Sequence, residues 1–257
     1  MPQCAIIAGT GAVRLFQDML PQGKTKTSYG EVEIFTSEDL DPEVPIILRH
    51  GLGHEIPPHL VNYRANISAI AKRGVERIIS LGAVGSLRSS LRPEDIVLPD
   101  QFLDFTKSRP VTFVEKLEGS NGHVDITNPF CSQMRRMMID SAKVLEIPVH
   151  PRAVYVCTEG PRYETAAEIR MFKMLGGDLV GMTCVPEVTL AREKGICYLH
   201  VSVVTNMAAG LKGNRISHRS VERIVGNKIV QLRKLLRQVV QDARDSERKC
   251  ECGEPAV

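Results

Sequence analysis

The sequence contains no apolar run approaching the roughly 18 to 20 residues that a bilayer-spanning helix requires. Its start, Met1-Pro2-Gln3-Cys4 and then a short apolar segment, lacks the charged opening and long apolar core of a secretory signal. These absences lead us to expect a cytoplasmic protein with no membrane partner. Concentrated basic charge is missing too. The net charge is +3 and the basic residues are scattered apart from the last helical stretch, too dilute a pattern for nucleic acid. No internal repeat and no long Pro/Ser/Gly linker divides the chain, so a single domain is expected over residues 1–244. Residues 245–257 are charged and apolar-poor, and they are expected to fray.

Cysteine is present without an obvious pattern. Of the seven, Cys4, Cys131, Cys157, Cys184 and Cys197 stand singly in apolar surroundings and read as small buried hydrophobes. Cys250-Glu251-Cys252 sits in the polar tail. A metal there would need two further ligands of suitable type and spacing, and none is near in sequence, so no metal is expected. A disulfide within this pair or between chains stays open beside the plainer reading of a reduced tail.

What is there is ordinary globular chemistry: 43 % hydrophobic and 25 % charged residues, enough to bury a sizeable core. Short β-branched or apolar runs bounded by Gly, Pro or polar turns predict strands at 5–7, 44–48, 77–81, 96–98, 153–157, 179–181 and 197–204. Apolar periodicity near 3.6 predicts helices at 62–73, 129–145, 165–175 and from 220 to about 243. Strands alternating with helices predict an α/β fold whose sheet is covered on both faces.

Four places stand at strand ends or glycine-containing turns, where ligands bind in open α/β sheets. In Gly9-Thr10-Gly11, after an apolar strand, backbone N–H groups and a hydroxyl can face an anion. No third glycine or second-strand acid follows at the spacing of a dinucleotide fingerprint. Arg49-His50-Gly51-Leu52-Gly53-His54 offers a planar guanidinium suited to phosphate and an imidazole for phosphate or a sugar hydroxyl. The glycines between His50 and His54 spoil a helical metal pair. Gly82-Ala83-Val84-Gly85-Ser86 reads as a small-residue turn that a ligand can approach closely. Finally, Tyr163 and Glu164, the Gly181-Met182-Thr183 corner and Asn206 make a wall that can stack on and hydrogen-bond a flat heterocycle.

Taken together and in order, IAGTG, RHGLGHEIPPHLVNYRANI, LGAVGSL, PDQFLDFT, HVDITNPFC, TEGPRYET, GMTCVPE and VVTNMAAG resemble the trimeric branch of the purine nucleoside phosphorylase and methylthioadenosine phosphorylase family, over about residues 4–225. The resemblance implies one α/β domain with a central mixed sheet, part of it closed into a distorted barrel, flanked by helices. It implies phosphorolysis of a purine nucleoside, with inorganic phosphate as co-substrate and no cofactor. Carried onto matching positions, phosphate would sit among Thr10, Arg49, His50, the Ala83 N–H and Thr183. The ribose would lie on Met182 and the base on Tyr163. Ala8 departs from the glycine usual in the family, leaving Gly9-Thr10-Gly11 intact.

Base choice turns on three positions. Methylthioadenosine phosphorylases carry Asp where Asn206 and Ala208 stand and a small hydroxyl residue where Glu164 stands. Glu164 and Asn206 instead resemble the inosine and guanosine enzymes: a 6-oxopurine has an N1 proton for Glu164, and Asn206 suits O6 and N7. His50, Glu164 and Asn206 are thus the expected catalytic set, and 6-oxopurine nucleosides or 5′-methylthioinosine the expected substrates. Methylthioadenosine phosphorolysis is the alternative. His218 falls near the position that holds the 5′-hydroxyl, and His123 matches a residue donated by a neighbouring subunit, which implies a homotrimer or a dimer of trimers.

Overall fold

The computed structural model describes residues 3–16, 18–116, 122–211 and 218–253, and the side chains of these except 12, 13, 218 and 219. One large mixed sheet, flanked by helices, organises them into a single α/β domain. Three buried parallel strands form its centre: β1 (Cys4–Ala8), β5 (Arg77–Ser86) and β11 (Cys197–Met207). All five residues of β1 are buried, as are the first nine of β11; such unbroken apolar runs suit a strand covered on both faces.

Beyond β1 the sheet continues through β4 (Asp41–Leu48), β3 (Gly30–Ser37) and β2 (Met19–Thr27), the last two antiparallel. On the other side, β5 leads to β10 (Leu179–Gly181), β9 (Val154–Thr158) and β7 (Gln101–Phe105). Two short strands, β6 (Ile96–Val97) and β8 (Val149–His150), extend the sheet from β11.

β5 therefore has three partners and is where the sheet forks. On one edge it pairs with β11 along its whole length. On the other, β1 pairs with residues 77 to 80 and β10 with residues 85 and 86. Residues 81 to 84 have no strand partner on that edge. The small-residue segment expected as a turn is thus the second half of a strand, extended because β11 pairs with it throughout.

Each helix buries its apolar stripe. α2 (Tyr63–Lys72) starts where the Asn62 side chain accepts the Ala65 N–H at 3.1 Å, a cap that contributes about 1 kcal/mol. With α5 (Cys184–Glu193), it buries Ile67, Ala69, Ile70, Val188 and Leu190 on one face of the sheet. α3 (Ser132–Val144) and the 27-residue α6 (His218–Arg244) cover the other, α6 through Val225, Leu232, Leu235, Leu236 and Val239. α4 (Ala166–Met174) closes the far end with Ile169 and Phe172 against Val156. A single turn, α1 (Ala12–Leu15), follows β1. None of the helices, among the described residues, is long and apolar enough to cross a membrane.

The tail differs from the expectation of a frayed end. Residues 245 to 253 fold back on the base of the sheet. Arg77 Nη2 donates to the Ser246 carbonyl at 3.0 Å, Gln133 Nε2 to the Glu247 carbonyl at 2.8 Å, and the Lys249 N–H to Gln133 Oε1 at 2.9 Å. Cys252, on a 3-10 turn over Glu251–Gly253, is buried. The composition gave no sign of this, because backbone carbonyls and side-chain amides, rather than an apolar stripe, hold the segment.

Candidate active site

At the carboxyl ends of β1, β5 and β10 lies a cavity of about 410 Å³. Its lining includes Thr10, Arg49, His50, Ala83, Tyr163, Glu164, Met182, Thr183 and Asn206, nine residues spread over two hundred positions of the chain. The fold gathers them by four devices.

The first is the turn after β1. A Cβ at Gly9 would lie 2.5 Å from Arg49 Nη1 and 2.6 Å from the Leu81 carbonyl, and Gly11, at φ +83°, sits under Val225 of α6. Only glycine lets guanidinium and helix approach this turn so closely. The Arg49 N–H donates to the Ala8 carbonyl at 3.0 Å, which sets the Arg-His turn beside it.

The second is the unpartnered edge of β5. The N–H and C=O of one strand residue point the same way, and the direction alternates along the strand. The Leu81 carbonyl accepts from Arg49 Nη1 at 2.9 Å, so Ala83, two residues on, aims its N–H into the same opening.

Third, a bulge in β11 between Val204 and Asn206 brings Asn206 opposite Gly85. Its Oδ1 accepts from Thr205 Oγ1 at 3.0 Å, and its Nδ2 donates to the Met207 carbonyl at 3.0 Å.

Fourth, the start of α4 carries a capping box of Thr165 and Glu168, with Arg162 forked onto Glu168 at 2.7 and 2.8 Å. This fixes the neighbouring Tyr163 and Glu164. Thr158 Oγ1 donates to Glu164 Oε1 at 2.7 Å, and burial raises the pKa of that carboxyl despite this bond. Tyr163 remains 41 % exposed at the cavity rim.

Arg49 is committed more deeply than its residue type implied. Its side chain is fully buried, with Nε 2.5 Å from Glu187 Oε1 and Nη2 2.9 Å from Oε2. Nη2 also donates to Ser80 Oγ at 2.7 Å. Burial opposes the charge, but the Glu187 carboxylate outweighs it and keeps the guanidinium protonated. The cation is thus largely balanced inside the protein. His50 holds Nδ1 2.8 Å from the Ile56 carbonyl; since a carbonyl only accepts, the proton is on Nδ1. Thr183 precedes α5 without capping it, and lines the cavity.

The groups follow β5 in order. Arg49 meets Leu81, Thr183 Oγ1 lies 3.9 Å from the Cβ position of Gly82, and Asn206 Nδ2 lies 3.1 Å from that of Gly85. The four steps from Leu81 to Gly85 span about 13 Å. The Leu81 end offers a cation, a hydroxyl and an N–H group and the Gly85 end an amide, with the Glu164 carboxylate lining the same cavity.

Two expected residues stand apart from those nine, one by its place and one because its side chain is not among the described residues. His123 is exposed and absent from the lining of its own chain's cavity. His218 opens α6, but its side chain lies outside the described residues. Conversely, the buried support behind the site was not assigned from the sequence, where Glu187 stood out only as part of the GMTCVPE motif. Glu187 also accepts from Tyr198 Oη at 2.8 Å and Ser80 Oγ at 3.0 Å. His200 is pushed down to about 3 by burial and Arg49, so it is neutral, with Nδ1 3.0 Å from Ser80 Oγ. Arg109 donates to the carbonyls of Thr158, Glu159, Met182 and Val185, tying the loops that carry Glu164 and Thr183. A lone His or Ser inside an otherwise apolar strand was the available signal, since buried polar groups need partners.

Comparison with known proteins follows the same lines. The family model of the phosphorylase superfamily matches residues 3–241. A 6-oxopurine nucleoside phosphorylase of Pyrococcus furiosus is 46 % identical over 98 % of this chain and 97 % of its own. An S-methyl-5′-thioadenosine phosphorylase of Pyrococcus abyssi is 44 % identical over 99 % and 97 %. Among solved structures, a methylthioadenosine phosphorylase from an antarctic soil metagenomic library superimposes with a TM-score of 0.88 at 31 % identity, over 99 % of this chain and 90 % of that one.

Proposed function

The chain belongs to the phosphorylase superfamily, and from that premise we propose that it cleaves 6-oxopurine nucleosides by phosphorolysis, giving free base and ribose 1-phosphate. The observation that carries this reading is a single cavity lined both by anion donors (Thr10, Arg49, His50 and Thr183) and by Glu164 and Asn206.

Phosphate sits among Thr10, His50, Thr183, the Ala83 N–H and Arg49. Because Glu187 already balances Arg49, hydroxyls and N–H dipoles supply most of the attraction, and they are fixed before the anion arrives. The ribose lies on Met182 and the base against Tyr163. As the glycosidic bond lengthens, the sugar takes on oxocarbenium character, which the phosphate below it stabilises before attacking the anomeric carbon. The departing purine gathers negative charge. Asn206 donates to O6 and accepts from a protonated N7, while Glu164 accepts the N1 proton. Adenine has no N1 proton, only a lone pair that the carboxylate repels.

Some features of this reading reach past one chain. His123, exposed and absent from the lining of its own cavity, completes the 5′ end of a neighbour's, making the working unit a cytoplasmic homotrimer or dimer of trimers. His218 serves the 5′-hydroxyl. The reaction needs no cofactor besides phosphate. A second reading, methylthioadenosine phosphorolysis, is favoured by relatives of that name at 43 to 44 % identity. Release of free base from inosine, methylthioinosine and methylthioadenosine, each with and without phosphate, tests both. Phosphate-dependent release of hypoxanthine is expected. Cleavage of methylthioadenosine alone would overturn the assignment of Glu164 and Asn206.

A further inference from the structure

At the opposite end of β11 from Asn206, four cysteines converge. Cys197 opens the strand, and nine residues at about 3.3 Å each put it about 30 Å from Asn206. Cys131 lies alongside as the residue preceding α3, its N–H bonded to the Tyr198 carbonyl at 2.9 Å. The returning tail supplies Cys250 and Cys252. All four Sγ atoms lie within 4.8 Å of one another, and Cys197 and Cys250 are 3.2 Å apart. The two further ligands not found near Cys250 in sequence are thus provided by α3 and β11.

We propose that Cys131, Cys197, Cys250 and Cys252 form a structural zinc site that fastens the C-terminal tail to the base of the sheet. Zn–S bonds of about 2.3 Å in a tetrahedron separate the sulfurs by about 3.8 Å, and the observed separations bracket that value. Disulfide sulfurs stand about 2.05 Å apart, and these four cysteines are free. Four thiolates select zinc over calcium or magnesium, which prefer oxygen. With four protein ligands no position is left for water or substrate, so the site is structural and separate from the nucleoside chemistry.

Two features beyond the sulfurs fit. Bonds to Arg77 and Gln133 hold the tail on the base of the sheet just before the two tail cysteines, which fixes where Cys250 and Cys252 stand. Four thiolates and one Zn²⁺ also carry a net charge of −2, and a cation stands on the same tail. Arg248, two residues before Cys250, folds back with the tail and donates to the Gly195 carbonyl at 2.5 Å, two residues before Cys197. Metal uptake converts four thiols to thiolates and releases their protons to solvent.

The test is the metal content of the full-length protein purified without chelator or added metal, measured by plasma mass spectrometry. One zinc per chain is expected, released when a mercurial titrates the thiols. The double variant Cys250→Ser, Cys252→Ser is expected to retain about tenfold less zinc or lower still and to melt earlier, with phosphorolysis unchanged at moderate temperature. Three results would overturn the proposal: protein that is metal-free and takes up no zinc after reduction, iron in place of zinc, or an intact mass short of two hydrogens for each pair of these cysteines. The parent's metal content decides the matter even where the double variant fails to fold.

Discussion

Replacing Glu187 by Gln removes the carboxylate that faces a fully buried guanidinium. Both partners have no exposed side-chain surface, and Glu187 answers Arg49 on two nitrogens while also accepting from Ser80 and Tyr198. Water cannot reach in to compensate, so the loss is that of breaking a buried pair from one side, about 3 to 5 kcal/mol. At roughly 2 to 4 °C per kcal/mol for a chain of this length, the melting temperature should fall by about 6 to 20 °C. Phosphate adds a second expectation. If the anion binds beside Arg49, it becomes the partner that Glu187 no longer is, so saturating phosphate should raise the melting temperature of Glu187→Gln more than that of the parent. Differential scanning fluorimetry with and without phosphate, backed by urea unfolding, measures both. The double variant Arg49→Met, Glu187→Leu separates charge from packing: it should recover most of the stability while losing the phosphate response. A Glu187→Gln protein within 1 kcal/mol of the parent would refute the view that this pair is unscreened.

Other outcomes follow from the same geometry. Asn206→Asp should move preference toward 6-aminopurine nucleosides, further when Glu164 is changed as well; parental base preference in both variants would count against the base-site assignment. His123→Ala should raise KM for nucleoside and leave phosphate binding intact, and unchanged kinetics would exclude a site shared between subunits. Burial raises the Glu164 pKa above its ordinary 4.5, so its contribution to stability is fully present below the unfolded value and is lost as pH rises through the folded one. Glu164→Gln should therefore be the more stable protein at neutral pH and lose the acid limb of the kcat/KM profile. Its activity should fall about 10- to 150-fold, the equivalent of one charged hydrogen bond of about 1.5 to 3 kcal/mol.

Local pattern made the centre of the fold legible. β1, β9, β10 and β11 announce themselves as apolar runs, and Asn62 and Thr165 mark helix starts within one residue. The hairpin of β2 and β3 went unseen because β2, at the end of the strand order, exposes most of its residues and shows no alternation. α5 was hidden by Pro186 and by the extended Val185 inside it. In the site, the residue types that face the cavity could be named from short motifs. Their supports could not: Glu187 is 138 positions from Arg49, and Cys250 is 53 from Cys197. No period or spacing encodes a partner that the chain meets only once folded.

The interrupted edge of β5 has a consequence for how the molecule moves. A seam in the middle of a sheet is the place where it opens most easily, so the amide of Ala83, which faces the open edge, should exchange with deuterium faster than those of Gly82 and Val84, which face β11. A tetrahedral oxyanion accepting from the Ala83 N–H would do for that residue what an adjacent strand does elsewhere, and should stiffen β5 against β1 and β10. On the proposed reading the resting protein is softest along the line on which it would bind phosphate, and its rigidity should rise with the phosphate content of its surroundings.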